Sequence, residues 1–253
     1  DPVVFFWIPA FAGMTARYMQ THYINGKWIQ GKGDVFNSIN PFSGEEIWQG
    51  HEATQDEVSA AVHAASESFL TWSKLSVDDR IQYLNKFAEL LKTKKSELGE
   101  LIAKETGKPL WESLTEASAM AGKIPISIDA FAKRNATFSK DLPGKTSITR
   151  YKPHGVVAVF GPFNFPGHLP NGHIVPALLA GNSVVFKPSE MTPLVAEFTV
   201  KLWEEAGLPS GVLNLVQGAR ETGEFLLQAK QIRGVFFTGS SQTGQIIHKT
   251  LLN

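Results

Sequence analysis

The stretch Val156-Val157-Ala158-Val159-Phe160-Gly161-Pro162-Phe163-Asn164-Phe165-Pro166 decides the fold. Five apolar residues, mostly β-branched, read as a strand; the Gly-Pro pair ends it and a helix-period segment follows. The same unit recurs at Ser183–Lys187, Val212–Val216 and Gly234–Thr238. Strand starts at 156, 183, 212 and 235 are 23 to 29 residues apart, which suits strand–helix repeats feeding a parallel sheet. Strands without polar alternation imply helices over both faces. The expected fold class is α/β. In such sheets ligands bind outside the carboxyl ends of the strands. The loops that matter are therefore 161–172, 188–191, 217–220 and 239–244.

Bulk composition narrows the function. The 253 residues suffice for a large core in one or two domains. Lys and Arg number 24, as do Asp and Glu, so no net charge favours nucleic acid or an anionic membrane surface. The densest basic run, Lys92-Thr93-Lys94-Lys95, reads as a solvated helix end. Cysteine is absent, which excludes disulfides, thiolate zinc sites and a cysteine nucleophile within these residues. The seven histidines lack metal-ligand spacing, so no metal is expected.

The chain begins at Asp1. Val3–Ala12 is apolar but lacks the basic segment of a signal peptide and is too short to span a bilayer. Residues 1–18 read as a non-native extension, with synthesis starting at Met19; the alternative is an apolar arm that packs on a partner. At the other end Thr250-Leu251-Leu252-Asn253 follows a strand–helix unit with no closing strand, which reads as a fragment. A cytoplasmic protein is expected.

Between these ends, Tyr23–Trp28 reads as a hairpin turning at Asn25-Gly26, and Asn40–Glu45 as a second turn. Thr54 and Glu57 form a capping box before a helix that places Val58, Val62, Ala65 and Phe69 on one face. A second helix begins near Ser76 with Ile81, Leu84, Ala88 and Leu91 inward. A third carries Leu98, Leu101 and Ile102 and ends at Gly107. A fourth runs over about 110–134 with Pro125 as a kink, burying Leu114, Ala117, Ala121, Ile124 and Phe131. Within residues 138–152, Asp141-Leu142-Pro143-Gly144 reads as a turn and Thr146–Tyr151 alternates like a half-exposed strand, which makes a two-stranded arm that needs a packing partner. The division expected is 1–18 extension, 19–137 hairpin and helical part, 138–152 oligomerisation arm, and 153–253 a partial Rossmann-like parallel sheet.

Three clusters at strand ends carry chemistry. Asn164, between two aromatics after a Gly-Pro turn, either donates to a developing oxyanion or caps the next helix. Lys187-Pro188-Ser189-Glu190 puts a donor and an acceptor where a ribose can lie, and a carboxylate there repels a 2′-phosphate, favouring NAD over NADP. Gly239-Ser240-Ser241-Gln242-Thr243-Gly244 follows a strand and opens a helix, a setting suited to pyrophosphate. Its spacing is neither the dinucleotide fingerprint nor a Walker A loop.

Taken in order, these clusters resemble the aldehyde dehydrogenase superfamily. Its P-[W/F/Y]-N-F-P, K-P-[S/A]-E, G-L-P-x-G-V-[L/F]-N and F-T-G-S-x-x-x-G patterns are matched at 162–166, 187–190, 207–214 and 237–244. Within it the stretches Phe160–Asn182, Gly207–Gly218 and Arg220–Gly223 are most similar to the branch that oxidises N-succinylglutamate 5-semialdehyde in arginine catabolism. The similarity covers about the N-terminal half of such an enzyme.

The resemblance implies an NAD-dependent oxidation of an aldehyde to its acid by a homo-oligomer. Asn164 is then the oxyanion donor. Phe160, Gly161, Lys187, Glu190, Gly218, Gly239, Ser240 and Gly244 line the cofactor, with Ser240 on the pyrophosphate. Phe163 walls the aldehyde tunnel. His168 either meets a substrate carboxylate or is a hydrogen-bonded core histidine. In the family a cysteine attacks the aldehyde and a glutamate activates water; neither segment lies in this chain, so the chain alone is expected to be inactive. Two rivals remain: a non-catalytic dinucleotide-binding or assembly module, and a dehydrogenase for another aldehyde.

Overall fold

The computed structural model describes residues 20–252; the expectations for 1–18, Met19 and Asn253 lie outside them. The hairpin forms as β1 (His22–Ile24) and β2 (Lys27–Ile29). Asn25 and Gly26 both take positive φ, 51° and 75°, as a type I′ turn demands. Two strands the periodicity did not reveal follow, β3 (Val35–Ile39) and β4 (Glu46–His51), paired antiparallel on either side of the 40–45 turn.

Four helices come next: α1 (Gln55–Trp72), α2 (Val77–Thr93), α3 (Lys95–Thr106) and α4 (Leu110–Arg134). The Glu57 carboxylate accepts from both the Thr54 N–H and its hydroxyl at 2.9 Å, and Ser76 accepts from Asp79 N–H at 3.0 Å. Pro125 is accommodated inside α4. The arm is β5 (Phe138–Leu142) with β6 (Lys145–Thr149), and every residue of both strands is exposed.

The remaining units are β7 (Val156–Phe160), α5 (His168–Leu179), β8 (Ser183–Lys187), α6 (Pro193–Glu205), β9 (Leu213–Leu215), α7 (Arg220–Gln228), β10 (Ile232–Phe237) and α8 (Ser241–Leu251). Two expected strands shift: 212–216 shortens to Leu213–Leu215, and 234–238 moves to Ile232–Phe237. Backbone pairing goes with both. β9 pairs with β8 over Leu213 to Leu215, and β10 extends back to pair Ile232 with Val156.

One six-stranded sheet results, in the order β10-β7-β8-β9-β1-β2. β10, β7, β8 and β9 are mutually parallel. The N-terminal hairpin, read from sequence as a separate element, is the sheet's antiparallel edge, through Tyr23 opposite Leu215. The sheet is therefore mixed, with a parallel core.

Side-chain alternation explains the apolar runs. Val157, Val159, Val184, Phe186, Leu213 and Leu215 belong to one core with α2 to α6. Val156, Ala158, Phe160, Val185 and Val216 belong to a second core with α1 and α7. Each face is thus covered, as such strands require. In the first core Phe87 stacks on Trp203 with ring centroids 3.7 Å apart and planes 12° off parallel. Helix α6 has no side-chain cap of its own; Glu105 of α3 accepts from Leu194 N–H (2.9 Å) and Val195 N–H (2.8 Å). Burial pushes the Glu105 carboxyl up to about 7, against the pull of those two N–H groups. No helix among the described residues is long and apolar enough to cross a membrane.

Phe87→Ala removes one partner of the fully buried stack. It is expected to lower unfolding stability by about 3–5 kcal/mol in urea titration. Phe138→Ser, on the exposed arm, is expected to change it by less than about 0.5 kcal/mol.

Candidate active site

β7 has β8 on one side and β10 on the other, so the chain leaves β7 in one direction and later returns to its opposite flank. That is the switch point at which an open α/β sheet parts its loops. A cavity of about 630 Å³ opens there, lined by the end of β7, the 161–164 loop, the end of β8, the start of α7 and the β10–α8 turn.

Most residues singled out from sequence meet in this cavity. Phe160, Gly161, Phe163, Asn164, Lys187, Glu190, Gly239 and Ser240 all line it. Three do not. Gly218 lies one residue outside, at φ 146°, where a side chain would collide with the Thr222 hydroxyl. Gly244 packs on the Phe237 ring, 3.5 Å from where a Cβ would stand. His168 lies outside as well, on the first turn of α5.

The Asn164 side chain is exposed and makes no hydrogen bond with the described residues. It does not cap the following helix. Gly167 occupies the N-cap of α5, and Glu116 of α4 supplies the acceptor instead, taking Gly167 N–H at 3.0 Å and His168 N–H at 3.1 Å. His168 is not a hydrogen-bonded core histidine either: its ring is half-buried and Nδ1 is buried without a partner. Phe163 is 53% exposed, so only part of its ring meets the protein.

Lys187 is 7% exposed. Its Nζ donates to Pro188 O at 2.9 Å and lies 3.9 Å from Glu190 Oε2. Burial pulls its ammonium down to about 8, while Glu190 and Glu52 resist. Ser240 caps α8, accepting from Thr243 N–H at 3.1 Å and donating to the Thr243 hydroxyl at 2.9 Å. Its hydroxyl is engaged within the turn, so anion-binding capacity there rests on backbone N–H groups before the first intrahelical bond, Gly244 N–H to Ser240 O. Among the described residues no three His, Cys, Asp or Glu side chains are grouped to hold a metal.

Residues 28–252 match the aldehyde dehydrogenase family. The chain belongs to that family. Its fold superimposes on a betaine aldehyde dehydrogenase from Staphylococcus aureus in complex with NAD+ at 31% identity and TM-score 0.87, covering 93% of this chain and 49% of that one. An NADP-dependent enzyme of E. coli matches at 30% identity and TM-score 0.88, over 93% and 50%. An NAD-dependent benzaldehyde dehydrogenase from Corynebacterium glutamicum matches at 30% and 0.86, over 92% and 52%. The chain spans about half the length of these structures.

Sequence reasoning missed two residues in or beside this cavity. One is Gly223 on α7, where a Cβ would stand 3.4 Å from the Phe160 ring and 3.7 Å from Lys187 Cδ and Cε, filling the cavity floor. Its only signal was the Gly218-x4-Gly223 spacing. The other is Glu116, on an unremarkable helix face, and nothing in sequence marks it. His173 stands behind one lining residue, with Nε2 3.0 Å from the Thr238 hydroxyl; burial and the nearby Lys123 charge lower its pKa.

The Lys187 shift has a defined sign. Between its folded value, about 8, and the ordinary 10.5, the unfolded chain binds a proton that the folded chain lacks. Stability contributed by this group therefore rises with pH across that window. Urea midpoints compared at pH 8 and 10 are expected to show Lys187→Met losing a gain on the order of 2 kcal/mol relative to the unsubstituted protein. Tyr23, pushed up to about 12 by burial, acts oppositely, but only from its ordinary 10 upward.

Proposed function

We propose that this chain is the dinucleotide- and oxyanion-binding part of an NAD-dependent aldehyde dehydrogenase, and that the whole protein oxidises a semialdehyde to its acid. The observation that carries the reading is the convergence, in one cavity at the switch point, of an unengaged Asn164 amide, the Lys187–Glu190 pair and the amino end of α8. A cavity near 630 Å³ is of small-molecule size.

The residues fit the dinucleotide. Gly223 leaves the floor open against Phe160, where any side chain would occupy the space. Lys187 Nζ spends one donor on Pro188 O and keeps others for ribose hydroxyls. Glu190, 49% exposed at its side chain, accepts from those hydroxyls and repels a 2′-phosphate. The first N–H groups of α8 face the pyrophosphate. When bound, NAD accepts the hydride from the aldehyde carbon. Asn164 Nδ2 donates to the aldehyde oxygen as negative charge builds on it, and Phe163 bounds the substrate's approach.

N-succinylglutamate 5-semialdehyde, an intermediate of arginine catabolism, is the substrate we favour, with a cytoplasmic location. The run Phe160–Asn182 supports it, including His168, whose ring nitrogen lacks a partner. The arm supports a homo-oligomer: a two-stranded hairpin with Phe138 64% and Ile148 49% exposed is marginal unless a second subunit covers it.

Fluorescence titration of the protein with NADH is expected to show saturable binding, and Glu190→Ala to shift the NAD/NADP preference toward NADP by about tenfold, the size of one lost charge contact. In the full-length protein Asn164→Ala is expected to lower kcat by about 10² to 10³. A panel including the succinylated semialdehyde, betaine aldehyde and benzaldehyde tests the substrate. No NADH binding, or no aldehyde in the panel oxidised, would overturn the reading.

A further inference from the structure

We infer that Glu116 and Lys108 are positioning residues for Asn164: a buried ion pair that clamps the segment Asn164–His168 and thereby sets where the amide points. The inference rests on the reading of Asn164 as an oxyanion donor.

The geometry is local, with Glu116 the nearer of two carboxylates on Lys108 and Glu112 Oε1 the farther at 3.7 Å. Glu116 is fully buried at its side chain and Lys108 is 14% exposed. Glu116 Oε1 takes the Gly167 and His168 N–H groups, while Oε2 sits 2.9 Å from Lys108 Nζ. Lys108 Nζ in turn stands 3.5 Å from the centre of the Phe165 ring. One ion pair therefore holds the residue directly after Asn164 by its ring, and the residues three and four further on by their N–H groups. A carboxylate and an ammonium shielded from water are stiff restraints, because neither is exchanged for solvent.

No competing restraint acts on Asn164 itself. Its amide has no partner among the described residues, so its direction comes from the backbone on either side. On the strand side Gly161 N–H is fixed to Lys187 O at 3.0 Å. On the helix side Gly167 has no side chain to cap α5, and a Cβ there would be 2.5 Å from Met120 Sδ. Among the described residues Glu116 is thus the one side chain that hydrogen-bonds the free N–H groups of that end. Positioning within a fraction of an ångström matters for an oxyanion donor, since its bond must be made to an atom whose charge appears only during reaction.

The test is a double-mutant cycle in the full-length protein, read by aldehyde turnover, NADH titration and amide exchange. Glu116→Ala is expected to lower kcat by about 10- to 100-fold. Aldehyde KM and NADH affinity are expected to stay within about twofold. Glu116→Gln, which keeps a neutral acceptor for the two N–H groups, recovers part of the loss; Lys108→Met loses part of it. The double variant Asn164→Ala/Glu116→Ala is no slower than Asn164→Ala alone, because Glu116 acts through Asn164. Exchange of the Gly167 and His168 amides rises about tenfold or more in Glu116→Ala, while that of Ile174–Leu178 does not. Losses that multiply in the double variant, or unchanged exchange at Gly167 and His168, overturn the inference. Should Glu116→Ala not fold, Glu116→Gln and Lys108→Met are put through the same cycle with Asn164→Ala. If Asn164→Ala leaves turnover untouched, the oxyanion reading fails instead, and amide exchange alone decides whether Glu116 is the clamp.

Discussion

The fold depends on β7 being covered on both faces at once. Its five residues are all buried, alternating between a core built with α2 to α6 and one built with α1 and α7. Such a strand gains burial on every residue but tolerates no polar one, and it forces the helices to bracket the sheet. Because β8 and β10 flank β7 on opposite sides, the loops after β7 and β10 diverge and leave the cavity between them. The site is a by-product of that arrangement.

A second theme is how the helices facing the site begin. Neither α5 nor α6 carries a side-chain cap at its start. Each is met instead by a buried glutamate from another helix: Glu116 for α5 and Glu105 for α6. A carboxylate at a helix amino end satisfies orphan N–H groups and complements the helix dipole. Supplied from elsewhere in the chain, it also ties two helices together. The loops before α5 and α6, carrying Asn164 and Lys187–Glu190, are thus referenced to the helical layer as well as to the strands.

Much of this was legible in the sequence, for identifiable reasons. The parallel strands announced themselves by unbroken apolar runs, the helices by capping residues at Thr54 and Ser76, and the arm by its alternation. The cavity residues Asn164 and Lys187 were found because they stand at strand ends, where polar residues need a reason, and Gly239 because it opens a strand–helix turn. What escaped depended on distant pairing. β3 and β4 have no clear alternation and are defined by each other. The hairpin's place in the sheet hangs on Tyr23 meeting Leu215, which no local pattern encodes. Glu116 looks like any helix glutamate until α5 is laid against α4. Gly218, Gly244 and His168 share motifs with cavity residues but do not line the cavity themselves.

The seam between β1 and β9 bears on how the molecule assembles. Asn25 N–H reaches Asn214 Oδ1 at 2.9 Å, and Gln217 N–H reaches His22 Nδ1 at 3.0 Å, bonds that close loops of 189 and 195 residues. The second bond leaves the proton of His22 on Nε2, and burial holds that ring neutral down to about 4. During synthesis the β1–β2 hairpin must wait for its partner in the sheet until β7, β8 and β9 have been made. Contacts of such long range slow folding because loop-closure entropy is lost before they form. A nascent chain halted before residue 213 consequently carries a hairpin whose neighbour in the sheet, β9, does not yet exist.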